Sequence, residues 1–207
     1  ELIGRYNFTR EAMARMKPYI TRFIEETVEK KDLPKPGPTP KGEQETEGQR
    51  SYQPKSSMDG LGTLVPVNMQ AAMQDALKKI EDKHGNIDEW VAKELGYTQD
   101  ELRKALAAEQ VDAVAMSLDQ VKQDKAFVLG DQTGIGKGRV VAAMLRYALR
   151  NNLSPIFVTH KPNLYGDIIR DLNDIGVREM LGRDVRVFMT NAGEEVPLDT
   201  DAVAWFE

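Results

Sequence analysis

Ala126-Phe-Val-Leu-Gly-Asp-Gln-Thr-Gly-Ile-Gly-Lys-Gly-Arg139 is the stretch on which the reading of this chain turns. A short apolar run, Ala126 to Leu129, drops into a glycine-rich turn, reaches Lys137 and passes into an amphipathic segment, Val140–Leu149. Glycines in such a turn permit positive φ and let the backbone approach a ligand closely. Successive backbone N–H groups and a helix N-terminus supply partial positive charge, and a lysine there reaches terminal phosphates as a point charge. Strand, glycine turn, lysine, helix is the order that a phosphate-binding loop requires. A bare Gly-x-Gly would be read as an ordinary turn between strand and helix. With the lysine and both flanks in place, the stretch points to a nucleoside triphosphate site, or to descent from one.

The loop departs from the usual Gly-x-x-x-x-Gly-Lys-Ser/Thr pattern at two positions. Asp131 stands where the first glycine belongs and Gly138 where the hydroxyl belongs. The first change suits a variant that keeps only the Gly-x-Gly-Lys core. The second removes a hydroxyl that ordinarily ligates Mg²⁺, which leaves water, Thr133 or weak metal-dependent hydrolysis as alternatives.

Composition narrows the rest. The chain has 207 residues, a formal net charge of −5 and 41% hydrophobic residues, enough for one ordinary domain with extra segments. No apolar run approaches the roughly 20 residues of a membrane span, so no membrane partner is expected. The start, Glu1-Leu-Ile-Gly-Arg-Tyr6, has neither a signal pattern nor an initiator Met, and a piece of a longer protein is expected. Cysteine is absent, which excludes disulfides, thiolate zinc sites and cysteine nucleophiles. His84 and His160 are too far apart in sequence to suggest a metal cluster, and no metal ligand is assigned. The acidic balance gives no electrostatic argument for tight duplex binding by this stretch alone.

Four regions follow. Residues 1–32 read as an amphipathic helical segment: a helix over 9–31, with Thr9 as cap, an apolar stripe from Met13 to Val28 and a kink at Pro18. Residues 33–60 are a Pro/Gly-rich linker or strap, and residues 1–60 are a candidate surface for a protein partner. Residues 61–125 read as a helical subdomain. Asn68 caps a helix to Ile80, Asp88 starts one that Gly96 stops, Thr98–Glu101 forms a capping box, and a fourth helix spans 109–121. Residues 126–207 alternate strand and helix. Pro155–Thr159 is a continuously apolar run suited to a buried parallel strand, helices are expected over 138–151 and 164–175, and 183–190 is a third strand candidate. The fold class is therefore α/β: an incomplete parallel sheet built around the phosphate loop, preceded by an α-helical segment and a Pro-rich linker.

These residues resemble the first, RecA-like lobe of superfamily 2 helicases and translocases. Within that group they are most similar to strawberry-notch-like ATPases, as found in phage and plasmid polyvalent (Dar-type antirestriction) proteins. The resemblance rests on Gly130-Asp-Gln-Thr-Gly-Ile-Gly-Lys-Gly-Arg139, on Val158-Thr-His-Lys-Pro-Asn-Leu-Tyr165 ahead of Arg170-Asp-Leu-Asn-Asp-Ile-Gly176, and on Gly60–Met69. It covers roughly residues 52–178, and in it Gly-Lys-Gly-Arg is a family trait.

The resemblance implies ATP and Mg²⁺ as cofactors, with Lys137 as the catalytic residue on the β- and γ-phosphates. The loop Asp131, Gln132, Thr133, Gly134, Ile135, Gly136, Lys137, Gly138 and Arg139 would surround the nucleotide. Arg139 is open to two readings, a phosphate contact or a structural cap. Gln110 would read the adenine edge, since an amide donates and accepts at once. Thr159, Lys161 and Asn163 would touch a nucleic-acid backbone, DNA foremost, in a protein that also holds the remaining helicase lobes. The setting implied is a bacterial cytoplasm or a phage virion. No acidic Asp-Glu motif follows Lys137 in this sequence, so efficient hydrolysis is not expected of this stretch alone. The competing expectation is an interaction protein that keeps the loop as scaffold. A kinase is disfavoured by Gly138.

Overall fold

The computed structural model describes residues 48–130 and 136–181, all within one compact unit, Thr39–Glu207. The helix expected over 9–31, loop residues Asp131, Gln132, Thr133, Gly134 and Ile135, and the strand candidate over 183–190 lie outside the described residues.

Two short strands open the described part. β1 (Gln49–Ser51) pairs antiparallel with β2 (Leu64–Pro66), Arg50 opposite Val65. Pro66 lies opposite Gln49 at a non-hydrogen-bonded position, where no N–H is needed. The Val67 N–H still donates to the Gly48 carbonyl (3.1 Å), and α1 (Val67–His84) begins at that residue. Asn68, expected as its cap, lies inside the first turn, and the helix start has no side-chain cap.

The following helices are punctuated by local chemistry. α2 (Ile87–Leu95) is capped by Asn86, whose side chain accepts from the Glu89 N–H at 3.0 Å. Asp88, expected as the start signal, is instead buried and used elsewhere. Gly96 stops α2 in the left-handed conformation, φ 67°, where a Cβ is costly. Thr98 and Glu101 form the reciprocal capping box of α3 (Gln99–Ala105).

α4 (Ala108–Val121) is the axis of the fold. Val111, Val114, Ala115 and Leu118 are fully buried, and apart from Met116 and the residues of the last turn the helix is buried on every side. Burial on every face is how a helix reads when others surround it: α1, α2 and α5 (Lys137–Arg150) all pack on α4. α6 (Asn163–Asp174) covers α5, and α7 (Val177–Leu181) follows a turn at Gly176.

Three carboxylates pin residues 52–62 across these helices. Asp112 on α4 has no exposed surface. It accepts hydrogen bonds from the Tyr52 hydroxyl (2.8 Å) and from the Lys55 and Ser56 N–H groups (2.8 and 3.0 Å). Asp88 accepts from the Ser56 and Ser57 hydroxyls and the Ser57 N–H. Glu109 accepts from the N–H groups of Leu61 and Gly62. Buried backbone donors need partners, and for Lys55, Ser56, Ser57, Leu61 and Gly62 these carboxylates supply them.

The parallel sheet read from 126–129 and 155–159 is not formed as a hydrogen-bonded ladder among the described residues, which are mostly helical with the one antiparallel pair. Both runs nevertheless alternate. Phe127 and Leu129 are half-buried while Ala126 and Val128 are exposed; Pro155, Phe157 and Thr159 are half-buried while Ile156 and Val158 are exposed. Period-two burial is the mark of an extended segment with one covered face, and Leu129 and Phe157 do pack against the helical core. No helix among the described residues is long and apolar enough to cross a membrane.

Candidate functional site

The exit of the glycine turn sits where α4 meets α5. Gly136 adopts φ 76°, ψ 40° immediately before Lys137, the first residue of α5. Two constraints require glycine here. The left-handed backbone disfavours any side chain, and a Cβ would overlap the Gln110 amide nitrogen. The first turn of α5 has no side-chain cap and no acidic residue of its own, and the positive end of its dipole lies at the loop exit.

Gln110 reaches this point from the start of α4. Its Oε1 accepts from the Ala107 N–H at 3.0 Å, and its Nε2 lies 3.4 Å from the Gly136 carbonyl, to which it donates. The side chain is 6% exposed. The sequence-predicted glutamine and the loop exit are therefore brought together.

Beside them opens a cleft of about 370 Å³, lined by Asp59, Gly60, Leu61, Leu106, Gln110, Gly136 and Arg139, among others. One wall is the pinned segment. The Asp59 carbonyl accepts from the Ala108 N–H at 3.0 Å, and the Glu109 carboxylate accepts from the N–H groups of Leu61 and Gly62. Gly60-Leu-Gly62 thus stands against the N-terminus of α4. A volume of this size suits a small organic ligand.

Arg139 contacts two other helices. One guanidinium nitrogen donates to the Ala105 carbonyl at the end of α3 (3.1 Å), and the other is paired with Asp174 of α6 (3.0 Å). It ties three helices together at the cleft's edge.

Thr159, Lys161 and Asn163 fall together in the segment that leads into α6. The Thr159 hydroxyl accepts from the Lys161 N–H (3.4 Å), and Asn163 is the first residue of the helix. Lys161 and Asn163 are exposed. They are not at the loop exit: Asp171, which is, lies eight residues further along α6, about 12 Å at the helical rise.

Sequence reasoning did not single out Asp171 or Arg146. A Cβ added at Gly138 would run into the Asp171 carboxylate, so α6 approaches α5 at the position where a hydroxyl residue is usual. Arg146, half-way along α5, donates to the carbonyls of Leu95 (2.8 Å), Gly176 (2.8 Å) and Gly96 (3.5 Å) and stacks over the Tyr97 ring at 4.0 Å. Burial holds its guanidinium below the usual range. The signal available was one charged residue, 5% exposed, inside the apolar stripe of an amphipathic helix.

Residues 71–196, more than half of the chain, match the sequence model of a protein family described as P-loop containing NTP hydrolase pore-1. No curated protein and no solved structure matches the chain.

Proposed function

Because the chain belongs to the P-loop containing NTP hydrolase pore-1 family, we propose that it binds ATP between the glycine turn and the cleft at the start of α4, as part of the first lobe of a helicase-like translocase acting on DNA. The observation that carries this reading is the meeting, around one cleft, of Gln110, the Asp59–Leu61 wall and Gly136, one residue before Lys137. Phosphates belong at the uncapped N-terminus of α5, where backbone N–H groups and the Lys137 ammonium are concentrated. The base belongs in the cleft, where Leu61 and Leu106 offer apolar surface and the Gln110 amide offers one donor and one acceptor. To read adenine, that amide exchanges its present contacts with Ala107 and Gly136 for the base edge.

Mg²⁺ on the β- and γ-phosphates supplies charge neutralisation when bound. Arg139 holds α3, α5 and α6 in register around the site. Thr159 and Lys161, ahead of α6, and Asn163, its first residue, would meet a nucleic-acid backbone while the nucleotide occupies the loop.

The test is a titration of a fluorescent ATP analogue onto the chain and its variants. Lys137→Ala is expected to abolish binding, and Gln110→Ala to reduce the preference for adenine over guanine nucleotides. Binding unchanged in Lys137→Ala refutes the reading. In the protein that carries the remaining lobes, DNA should stimulate ATP hydrolysis, and Lys161→Ala should reduce that stimulation with little effect on nucleotide affinity.

A further inference from the structure

Gly138 leaves the loop without the hydroxyl that a nucleotide-bound Mg²⁺ normally uses, and the structure fills that place from another helix. A Cβ built on Gly138 would overlap Oδ2 of Asp171, with Cγ of the same carboxylate at 3.1 Å. A serine hydroxyl at 138 would sit one bond beyond that Cβ, so a carboxylate oxygen already occupies the space of the missing side chain. We infer that Asp171 is the protein ligand for Mg²⁺ in this loop, a carboxylate from α6 replacing a hydroxyl on α5. The inference rests on the nucleotide reading above and adds the metal-binding residue to it.

The chemistry of the donor fits the ion. Mg²⁺ in phosphoryl-transfer sites keeps several waters and takes one or two carboxylates together with the substrate phosphates. A single well-placed carboxylate is therefore enough, and no group of three or more metal-binding side chains occurs among the described residues.

The two oxygens of Asp171 are differently employed. Oδ1 faces the Arg170 guanidinium at 3.6 Å, and Oδ2 faces Gly138. Arg139, the other nearby cation, is engaged by Ala105 and Asp174. The Asp171 side chain is 15% exposed.

The rival role is a cap: a carboxylate near the first turn of α5 stabilises the helix dipole with no metal involved. The two roles separate in a binding experiment with a fluorescent, non-hydrolysable ATP analogue, titrated in Mg²⁺ and in EDTA. Wild type is expected to bind more tightly with Mg²⁺. Asp171→Asn keeps the shape and should bind the metal-free analogue as wild type does, while losing Mg²⁺ enhancement by about tenfold or more. Electron paramagnetic resonance of Mn²⁺ with the analogue should show one tightly held ion in wild type and loss of that ion in Asp171→Asn. Should Asp171→Asn fail to fold, the paired exchange Gly138→Ser with Asp171→Ala decides. That chain carries the ordinary hydroxyl and should recover the Mg²⁺ enhancement.

Mg²⁺ enhancement and a retained Mn²⁺ signal in Asp171→Asn overturn the assignment and leave a cap. So does an exchanged chain that binds the analogue equally well with and without Mg²⁺. Loss of the Mg²⁺ effect with metal-free binding intact supports it. Failure of the nucleotide reading looks different: Lys137→Ala then matches wild type in both media, and both conclusions fall together.

Discussion

Asp112→Asn tests whether burial or hydrogen bonding governs the latch that holds residues 52–62. Three donors converge on the wild-type carboxylate and favour its charged form. Removal from water favours the neutral form and is the larger effect; the nearby Asp88 adds to it, and the pKa is pushed up from 3.8 to about 6. At about 1.4 kcal/mol per pH unit, that rise corresponds to about 3 kcal/mol. The sign follows from proton linkage. The folded protein binds this proton more tightly than the unfolded chain does. The stabilisation is fully present below pH 3.8 and is lost as pH rises through about 6. Asparagine cannot titrate, but it offers one acceptor where the carboxylate offers two. One of the Tyr52, Lys55 and Ser56 donors therefore faces an amide NH₂, at a cost of about 1–3 kcal/mol. Urea unfolding of both proteins at several values between pH 4 and pH 7.5 reads the difference directly, and the other carboxylates cancel in the comparison. The asparagine variant should be more destabilised at pH 4 than at pH 7.5, by up to about 3 kcal/mol. A difference that is flat with pH, or larger at pH 7.5, would show that the three donors outweigh desolvation and would refute the reasoning.

Two further substitutions probe the frame of the site. Gly136→Ala meets both the left-handed backbone and the Gln110 amide, and should cost about 1–3 kcal/mol in urea unfolding and weaken nucleotide binding. Adding Gln110→Ala should recover the steric part and leave the backbone part, so strict additivity would contradict the overlap. Arg146→Lys keeps the charge but cannot serve the Leu95, Gly176 and Gly96 carbonyls together, and should cost about 2 kcal/mol or more; a change under about 0.5 kcal/mol would mean that water replaces the fork.

How much of this the sequence discloses depends on how local each cause is. Asn86, Gly96, the Thr98–Glu101 box and Gly176 act within a turn of themselves, and helix ends near them can be read from neighbours alone. Asp88 shows the limit. An acidic residue in a first turn reads as a start signal, yet its carboxylate is taken by Ser56 and Ser57, some thirty positions upstream. Asp112 and Glu109 are hidden for the same reason, because all but one of their donors, the Tyr52 hydroxyl, are backbone N–H groups of a segment that carries no periodic signal. Gln110 is legible by its motif position, and its approach to Gly136 follows from a helix packing on the loop's own helix. Arg139 stays ambiguous in sequence because its partners, Ala105 and Asp174, lie on two other helices.

The apolar runs at 126–129 and 155–159 mark a different boundary. Both are apolar at every position that matters, so hydropathy assigns them a place covered on two faces and cannot say which face is covered first. The alternation supplies that information: Leu129 and Phe157 turn toward the helices, while Val128, 87% exposed, and Ile156 and Val158, about half exposed, turn away. An extended run needs partners along both edges for its N–H and C=O groups, and those partners come from elsewhere in a chain. Local pattern therefore fixes the residues that would form such strands, while pairing, which depends on remote segments, leaves no trace in either run.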